Sequence, residues 1–197
     1  MKIEASSIKK IREKTGLPIM DCKKALEEAG NNSEKALKLL EKRGIEIALK
    51  KNERETPQGL IASYIHTNGK IGVLLEANCE SDFVAKTEDF RELLKNIALQ
   101  IAAMSPIGIE KKDIAPEIIE ERKKWWDKEF SGKPEKIREK IIEGKLNDFY
   151  REKILLEQTF VKDENTTIRD YITAVIAKLG ENIIIKRFVR YELGNLS

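Results

Sequence analysis

The chain has 197 residues, 41% hydrophobic and 36% charged, with 37 lysines and arginines against 34 acids for a net charge of +3. That length suits one medium domain, or a small domain joined to a larger one, with enough apolar material for a real core. Charge that is high but nearly balanced does not favour a general nucleic-acid binder, which clusters Lys and Arg, and two cysteines exclude a disulfide framework.

The N-terminus lacks the continuous apolar segment of a signal peptide. No apolar run approaches the roughly 20 residues that span a bilayer. A soluble, cytoplasmic protein with reduced thiols is expected, making no membrane contact.

Residues 1–49 read as helical. "SSIKKIREKTG" offers Ser6 or Ser7 as an N-cap, Ile8 and Ile11 on one face, and Gly16 as a stop. Pro18 suits the first position of a second helix, which carries Met20, Ala25, Leu26 and Ala29 on its apolar side and ends at Gly30. Ser33 is the next cap; Ala36, Leu37, Leu39 and Leu40 line a third helix, with Gly44 as its end. The spacing predicts a small three-helix bundle.

"KKNERETPQG", residues 50–59, is polar and contains Pro57 and Gly59, so it reads as a linker. The period then changes from helical to alternating. Leu60, Ala62, Tyr64 and His66 share one side of a strand, and Ile61, Ser63 and Ile65 the other. Asn68-Gly69 is a tight-hairpin signal, and Ile71, Val73, Leu75 and Ala77 alternate in the returning strand.

Helices resume with "FRELLKNIALQIAAM", whose Leu93, Leu94, Ile97, Ala98, Ile101 and Ala102 form a wide apolar stripe. Pro106 and Gly108 break it. One helix starts near Pro116, and a further one carries Ile137, Ile141, Ile142 and Phe149 beyond the "SGKP" stop. Residues 154–167 read as extended apolar residues and a "KDENTT" turn, "IRDYITAVIAKLG" as a helix, and "NIIIKRFVRYEL" as a strand able to pair with the hairpin. The expected fold class is α+β, with two domains: a helical bundle and linker over 1–52, and a core domain with a three-stranded antiparallel sheet packed with helices over 53–197.

In the strands 60–66, 71–77 and 182–193, Ile61, Ile65, Leu74, Ile184 and Phe188 are expected on one face, and Ile71, Val73, Leu75, Ile183 and Val189 on the other. Helices can cover one face; the other needs a partner or remains a large apolar patch. A two-fold dimer through the core domain is the commonest solution.

"EANCESDFVAKTEDF", residues 76–90, fits neither core nor ordinary loop: Phe83 sits among Glu80, Asp82, Glu88 and Asp89, with Cys79 nearby. Three chemistries compete: a metal or acid–base site, a thiol site, and a contact with another protein. The chain has one histidine, His66, and Cys22 and Cys79 form no zinc spacing, so no metal site is expected. A thiol site would need Cys79 to pair with His66. No phosphate-binding glycine motif appears, so no cofactor and no catalytic residue is assigned. The plain alternative is a solvated turn followed by acids at a helix N-terminus, where they favour the helix dipole.

"IREKTGLPIMDCKKAL", residues 11–26, and "EANCESDFVAK", residues 76–86, resemble the two signatures of the elongation factor Ts family, guanine-nucleotide exchange factors for the translational GTPase EF-Tu. The likeness continues through "YIHTNGKIGV", "SGKPEKIREKIIEGKLNDFY", "QTFVKDENTTIRDYI" and "IKRFVRYELG", nearly the whole chain in order. Ala77, Ser81, Pro18 and Ile11 depart from the usual residues; the Asp-Phe pair does not. The chain looks like the short form of the family, with one core copy in place of two related halves.

The resemblance implies an N-terminal bundle of ubiquitin-associated (UBA-like) type and no enzymatic activity. It implies that Asp82, Phe83 and Val84 contact EF-Tu, with Phe83 as a wedge near the magnesium side and Asp82 as its polar partner. It also implies contacts from Arg12, Ile19 and Met20 of the bundle, with bundle core as the plain alternative for Ile19 and Met20. His66 is implicated near the same interface, with a solvated residue at the hairpin turn as the plain alternative; in a homodimer forming a 2:2 complex it would come from the second protomer. The competing function is a UBA-like adaptor that binds a peptide or RNA without exchange activity; it would have no use for a Phe wedge.

Overall fold

The computed structural model describes residues 3–195. Helices α1 (Ala5–Thr15), α2 (Ile19–Glu28) and α3 (Ser33–Lys51) come first, followed by strands β1 (Gln58–Ile65) and β2 (Ile71–Cys79). The four-residue helix α4 (Asp82–Ala85) leads into α5 (Glu88–Met104). Helices α6 (Pro116–Glu129) and α7 (Glu135–Lys153) follow, then the short strands β3 (Thr159–Phe160) and β4 (Asp163–Thr167), helix α8 (Ile168–Leu179) and strand β5 (Ile183–Glu192).

The main sheet has the order β1-β2-β5. Asn68-Gly69 makes the expected hairpin turn, with Gly69 N donating to His66 O and His66 N to Ile71 O. At the start of β2, Leu193 N donates to Lys70 O. At its far end, Asn182 N donates to the Glu80 carboxylate, so β5 runs antiparallel to β2. Gly59 packs tightly against the β2 backbone: a Cβ there would lie 2.3 Å from the Ala77 carbonyl oxygen.

The chain divides into two compact units: Met1–Ile61, Glu76–Leu94 and Asp170–Lys186 make the first, and Ala62–Leu75, Lys95–Arg169 and Arg187–Ser197 the second. In the first, Ile11, Cys22, Ala25, Leu26, Ala36 and Leu40 form the core of the helical bundle. In the second, Ile114, Trp126, Phe149 and Ile154 form a cluster around α6 and α7. The Gln100 amide is buried there too, donating to Gln158 Oε1 at 3.0 Å and accepting from Val161 N at 2.9 Å. These bonds satisfy buried polar groups that would otherwise be costly.

Several local expectations are corrected. The N-cap of α1 is Glu4, ahead of Ser6 and Ser7, and Ser6 Oγ donates to the Glu4 carboxylate instead. Asn32 rather than Ser33 caps α3, accepting from Lys35 N at 3.0 Å. Gly44 does not end α3. The helix continues to Lys51, and Gly44 is buried against Ala177, where an added Cβ would lie 3.4 Å from the Ala177 Cβ, an ordinary contact. "DENTT" is strand β4, paired antiparallel with β3, where a turn alone was expected.

Met20 does not join the apolar side of α2; Cys22, Ala25 and Leu26 are buried and Met20 is exposed. The alternation along β5 also changes phase. Ile183 and Ile185 are buried, but farther along Phe188 and Arg190 are the less exposed residues, while Val189 and Tyr191 are exposed. The Arg190 guanidinium turns to donate to the Ala102 carbonyl of α5. Burial along β5 thus falls on the odd positions at its start and on the even positions near its end.

Candidate functional site

Strand β2 ends at Cys79, and the chain turns through Glu80 and Ser81 into α4. The turn is made by the side chains at its corner. Ser81 is the N-cap of α4: its backbone is extended, and its Oγ accepts from Val84 N at 3.3 Å. Thr87 closes the far side, donating from Oγ1 to Val84 O at 2.8 Å and accepting from Phe90 N at 3.2 Å, so α5 starts directly. Glu88 and Asp89 stand in the first turn of α5, where carboxylates favour the helix dipole.

The four residues of α4 divide cleanly. Val84 and Ala85 are buried and hold the turn against the core. Phe83 is 79% exposed, the most exposed of the large hydrophobic side chains that are described as exposed. Asp82 is exposed beside it, and its Oδ2 accepts from Lys86 Nζ at 2.6 Å. That bond holds the Asp82 carboxyl below its ordinary value, so it is anionic at neutral pH. The turn thus presents one apolar ring and one carboxylate to solvent, on a base fixed by caps and buried neighbours.

Two carboxylates tie this corner to the segment between α8 and β5. Glu181 accepts from Ser81 N at 2.9 Å and from Ser81 Oγ at 2.6 Å, a contact spanning 100 residues of sequence. Glu80 accepts from Asn182 N at 2.6 Å and from Arg54 at 3.3 Å. The Asn182 amide bond and then Arg54 keep the Glu80 carboxyl below its ordinary value. Asn182 is itself buried, and its side-chain amide donates to the carbonyls of Arg54 and Asn52 at 2.9 and 3.4 Å. Lys51 Nζ donates to Gly180 O, joining the end of α3 to the same segment.

The bundle residues lie in the same compact unit as Phe83. An added Cβ at Gly16, between α1 and α2, would lie 2.9 Å from Lys178 Cε. Lys178 Nζ in turn reaches Asp89 Oδ1 at 2.6 Å, so one lysine side chain connects the α1–α2 corner to the start of α5. Arg12 is exposed on α1, and Ile19 and Met20, at 54% and 56%, are exposed at the start of α2. None of the three is part of the buried bundle core.

The thiol reading finds no support in the geometry. Cys79 is buried, its Sγ lies 3.2 Å from Ser81 O, and burial, followed by the nearby Glu181 charge, pushes its thiol up. His66 lies in the other unit at the hairpin turn, with Nδ1 3.0 Å from the Tyr64 hydroxyl. Among the described residues, no group of three or more His, Cys, Asp and Glu side chains could hold a metal ion. No helix among them is long and apolar enough to cross a membrane. Sequence reasoning missed Glu181, Asn182 and Arg54; each is an ordinary polar residue far along the chain from Ser81, and no local pattern marks them.

A family model described as Elongation factor TS matches residues 6–195. The chain is 53% identical over 196 residues to "Elongation factor Ts" of Fervidobacterium nodosum, covering 98% of this chain and 100% of that protein. It is 52% identical over 196 residues to the protein of the same name from Coprothermobacter proteolyticus, with the same coverage of both chains. The corresponding protein of Thermotoga petrophila is 50% identical over 194 residues, 98% of each chain.

Proposed function

The chain belongs to the elongation factor Ts family, and on that premise we propose that it accelerates GDP release from the translational GTPase EF-Tu by inserting Phe83 beside the magnesium and phosphate site. The observation that carries the reading is Phe83 itself, 79% exposed on a short helix whose neighbours Val84 and Ala85 are buried. A large apolar side chain held out in water has a use when it fills a partner's pocket, where such residues dominate binding. Asp82 accompanies it as a fixed negative charge. Val84 contributes through its buried side chain, which seats the turn.

An exchange factor breaks no bond and is not an enzyme in that sense. It binds the nucleotide-free GTPase more tightly than the nucleotide-bound form, and by linkage nucleotide weakens the factor by the same ratio. The contacts to be loosened are those that hold the diphosphate, namely the phosphate loop and the magnesium ion. Each tenfold gain in release rate takes about 1.4 kcal/mol off the barrier, so several contacts must act together. Arg12, Ile19 and Met20, on a bundle of UBA-like type, supply the second grip. The bundle and linker over 1–52 and the core over 53–197 act as separate domains in this reading.

The sheet suggests the assembly. Ile65 and Leu74, expected on one face of the sheet, are exposed, and a second copy burying the same surface is the commonest way to cover such a face. The protein then works as a homodimer in the cytoplasm with two EF-Tu molecules, His66 of the second protomer lying near the first protomer's GTPase. Release of a fluorescent GDP from EF-Tu, followed with and without the protein, tests the proposal. Release at the intrinsic rate in its presence refutes it.

A further inference from the structure

The corner that carries Phe83 is locked by a reciprocal pair of carboxylates: Glu80 holds Asn182 N at 2.6 Å, while Glu181 holds Ser81 N at 2.9 Å and Ser81 Oγ at 2.6 Å. We propose that Glu181 is a positioning residue for exchange, presetting the Phe83 turn in its binding geometry through Ser81. The inference rests on the wedge reading of Phe83 and adds to it the residue that keeps the wedge ready.

The chemistry requires a carboxylate at 181. Ser81 presents two donors to it, the backbone N–H and the hydroxyl. The Glu181 carboxylate has two acceptor oxygens, and each takes one donor: Oε2 the Ser81 N–H and Oε1 the Ser81 hydroxyl. Once the hydroxyl hydrogen points at Glu181, the oxygen lone pairs face away from it, and one accepts from Val84 N at 3.3 Å. The direction of the first bond therefore fixes the second, and the second caps the helix that bears Phe83. A glutamine at 181 offers a single acceptor oxygen and places an NH2 group against a donor. The hydroxyl is then free to rotate, and the cap is lost part of the time. Charge-assisted bonds of this kind are roughly twice as strong as neutral ones.

A preset turn changes one quantity and leaves another alone. If only a fraction of molecules hold Phe83 in the competent geometry, apparent affinity falls by that fraction. Once the factor is bound, the partner's pocket selects the same geometry, so the maximal release rate is retained. Phe83→Ala removes the ring itself and lowers that maximum.

The experiment measures fluorescent GDP release from EF-Tu across a concentration series of the full-length protein. Glu181→Gln is expected to raise the half-saturating concentration about fivefold to tenfold with the plateau rate retained, equivalent to about 1–1.4 kcal/mol. Ser81→Ala should do the same, and Ser81→Thr, which keeps the hydroxyl, should match the parent. Melting well above the assay temperature shows that the shift is not simple unfolding. If Glu181→Gln does not fold, Ser81→Ala against Ser81→Thr carries the test. Unchanged half-saturation in the folded variants, beside a lowered plateau in Phe83→Ala, overturns the positioning role and leaves the wedge standing. A lowered plateau in Glu181→Gln also overturns it. An unchanged plateau in Phe83→Ala overturns the wedge reading on which the inference stands.

Discussion

Truncating Phe83 to alanine separates binding function from folding, because the side chain is 79% exposed and its neighbours carry the local packing. Burying a whole Phe side chain is worth roughly 1.5–3 kcal/mol, so a ring that still has 79% of its surface to bury can contribute about 1.2–2.4 kcal/mol at a partner's pocket. At about 1.36 kcal/mol per factor of ten, Phe83→Ala is expected to slow stimulated GDP release by about eightfold to sixtyfold. The cost to the free protein is small, within about 0.5 kcal/mol for a surface substitution. For a chain of this size that moves Tm by about 1–2 °C. Stopped-flow release of fluorescent GDP from EF-Tu, with thermal melting followed by circular dichroism, reads both quantities. Release at the parent rate by a folded Phe83→Ala variant refutes the reasoning, since the energy assigned to the ring would then be absent from the transition state. A large fall in Tm refutes it differently, by showing that Phe83 belongs to the fold.

Removing residues 1–52 should weaken binding to EF-Tu while 53–197 stays folded; circular dichroism and a binding titration check this, and an unfolded remainder would mean that the boundary is misplaced. Sedimentation at micromolar concentration should give twice the 22.6 kDa chain mass for the parent and a monomer for Ile65→Asp; a parent that is monomeric and exchanges at full rate rules the dimer out. Glu80 sits below its ordinary value of 4.5 because it accepts from Asn182 N and faces Arg54. The unfolded chain therefore takes up its proton at higher pH than the folded one. The stabilisation is complete above about pH 4.5 and is lost as pH falls through the lower folded value. Thermal melting between about pH 6 and 3 should show a shallower acid decline for Glu80→Gln than for the parent. Parallel declines would remove Glu80 from the acid response.

Much of the fold was legible because its signals are local. The alternation of Leu60 to Ile65 and of Ile71 to Ala77, with Asn68-Gly69 between them, specified the hairpin, since strand period and turn chemistry agree there. The stripe of Leu93, Leu94, Ile97 and Ile101 specified α5 in the same way, and all four side chains are buried. The short run 82–85 stood out in the sequence, with its aromatic among acids, and the family likeness suggested the role proposed for it. Tertiary structure decided the rest. Gly44 looks like a helix stop until Ala177 is placed against it. Met20 looks like part of the apolar side of α2 until the packing of Cys22, Ala25 and Leu26 leaves it exposed. The burial pattern of β5 changes across Lys186 and Arg187, and beyond them Arg190 reaches the Ala102 carbonyl, a partner that strand periodicity does not contain. Ser81 was visible in the sequence, but Glu181 and Asn182 became meaningful only when the chain brought them to the end of β2. Periodicity and turn chemistry report on neighbours a few residues away. A hydrogen bond between residues 100 apart leaves no such trace, because any polar residue of suitable length could have made it.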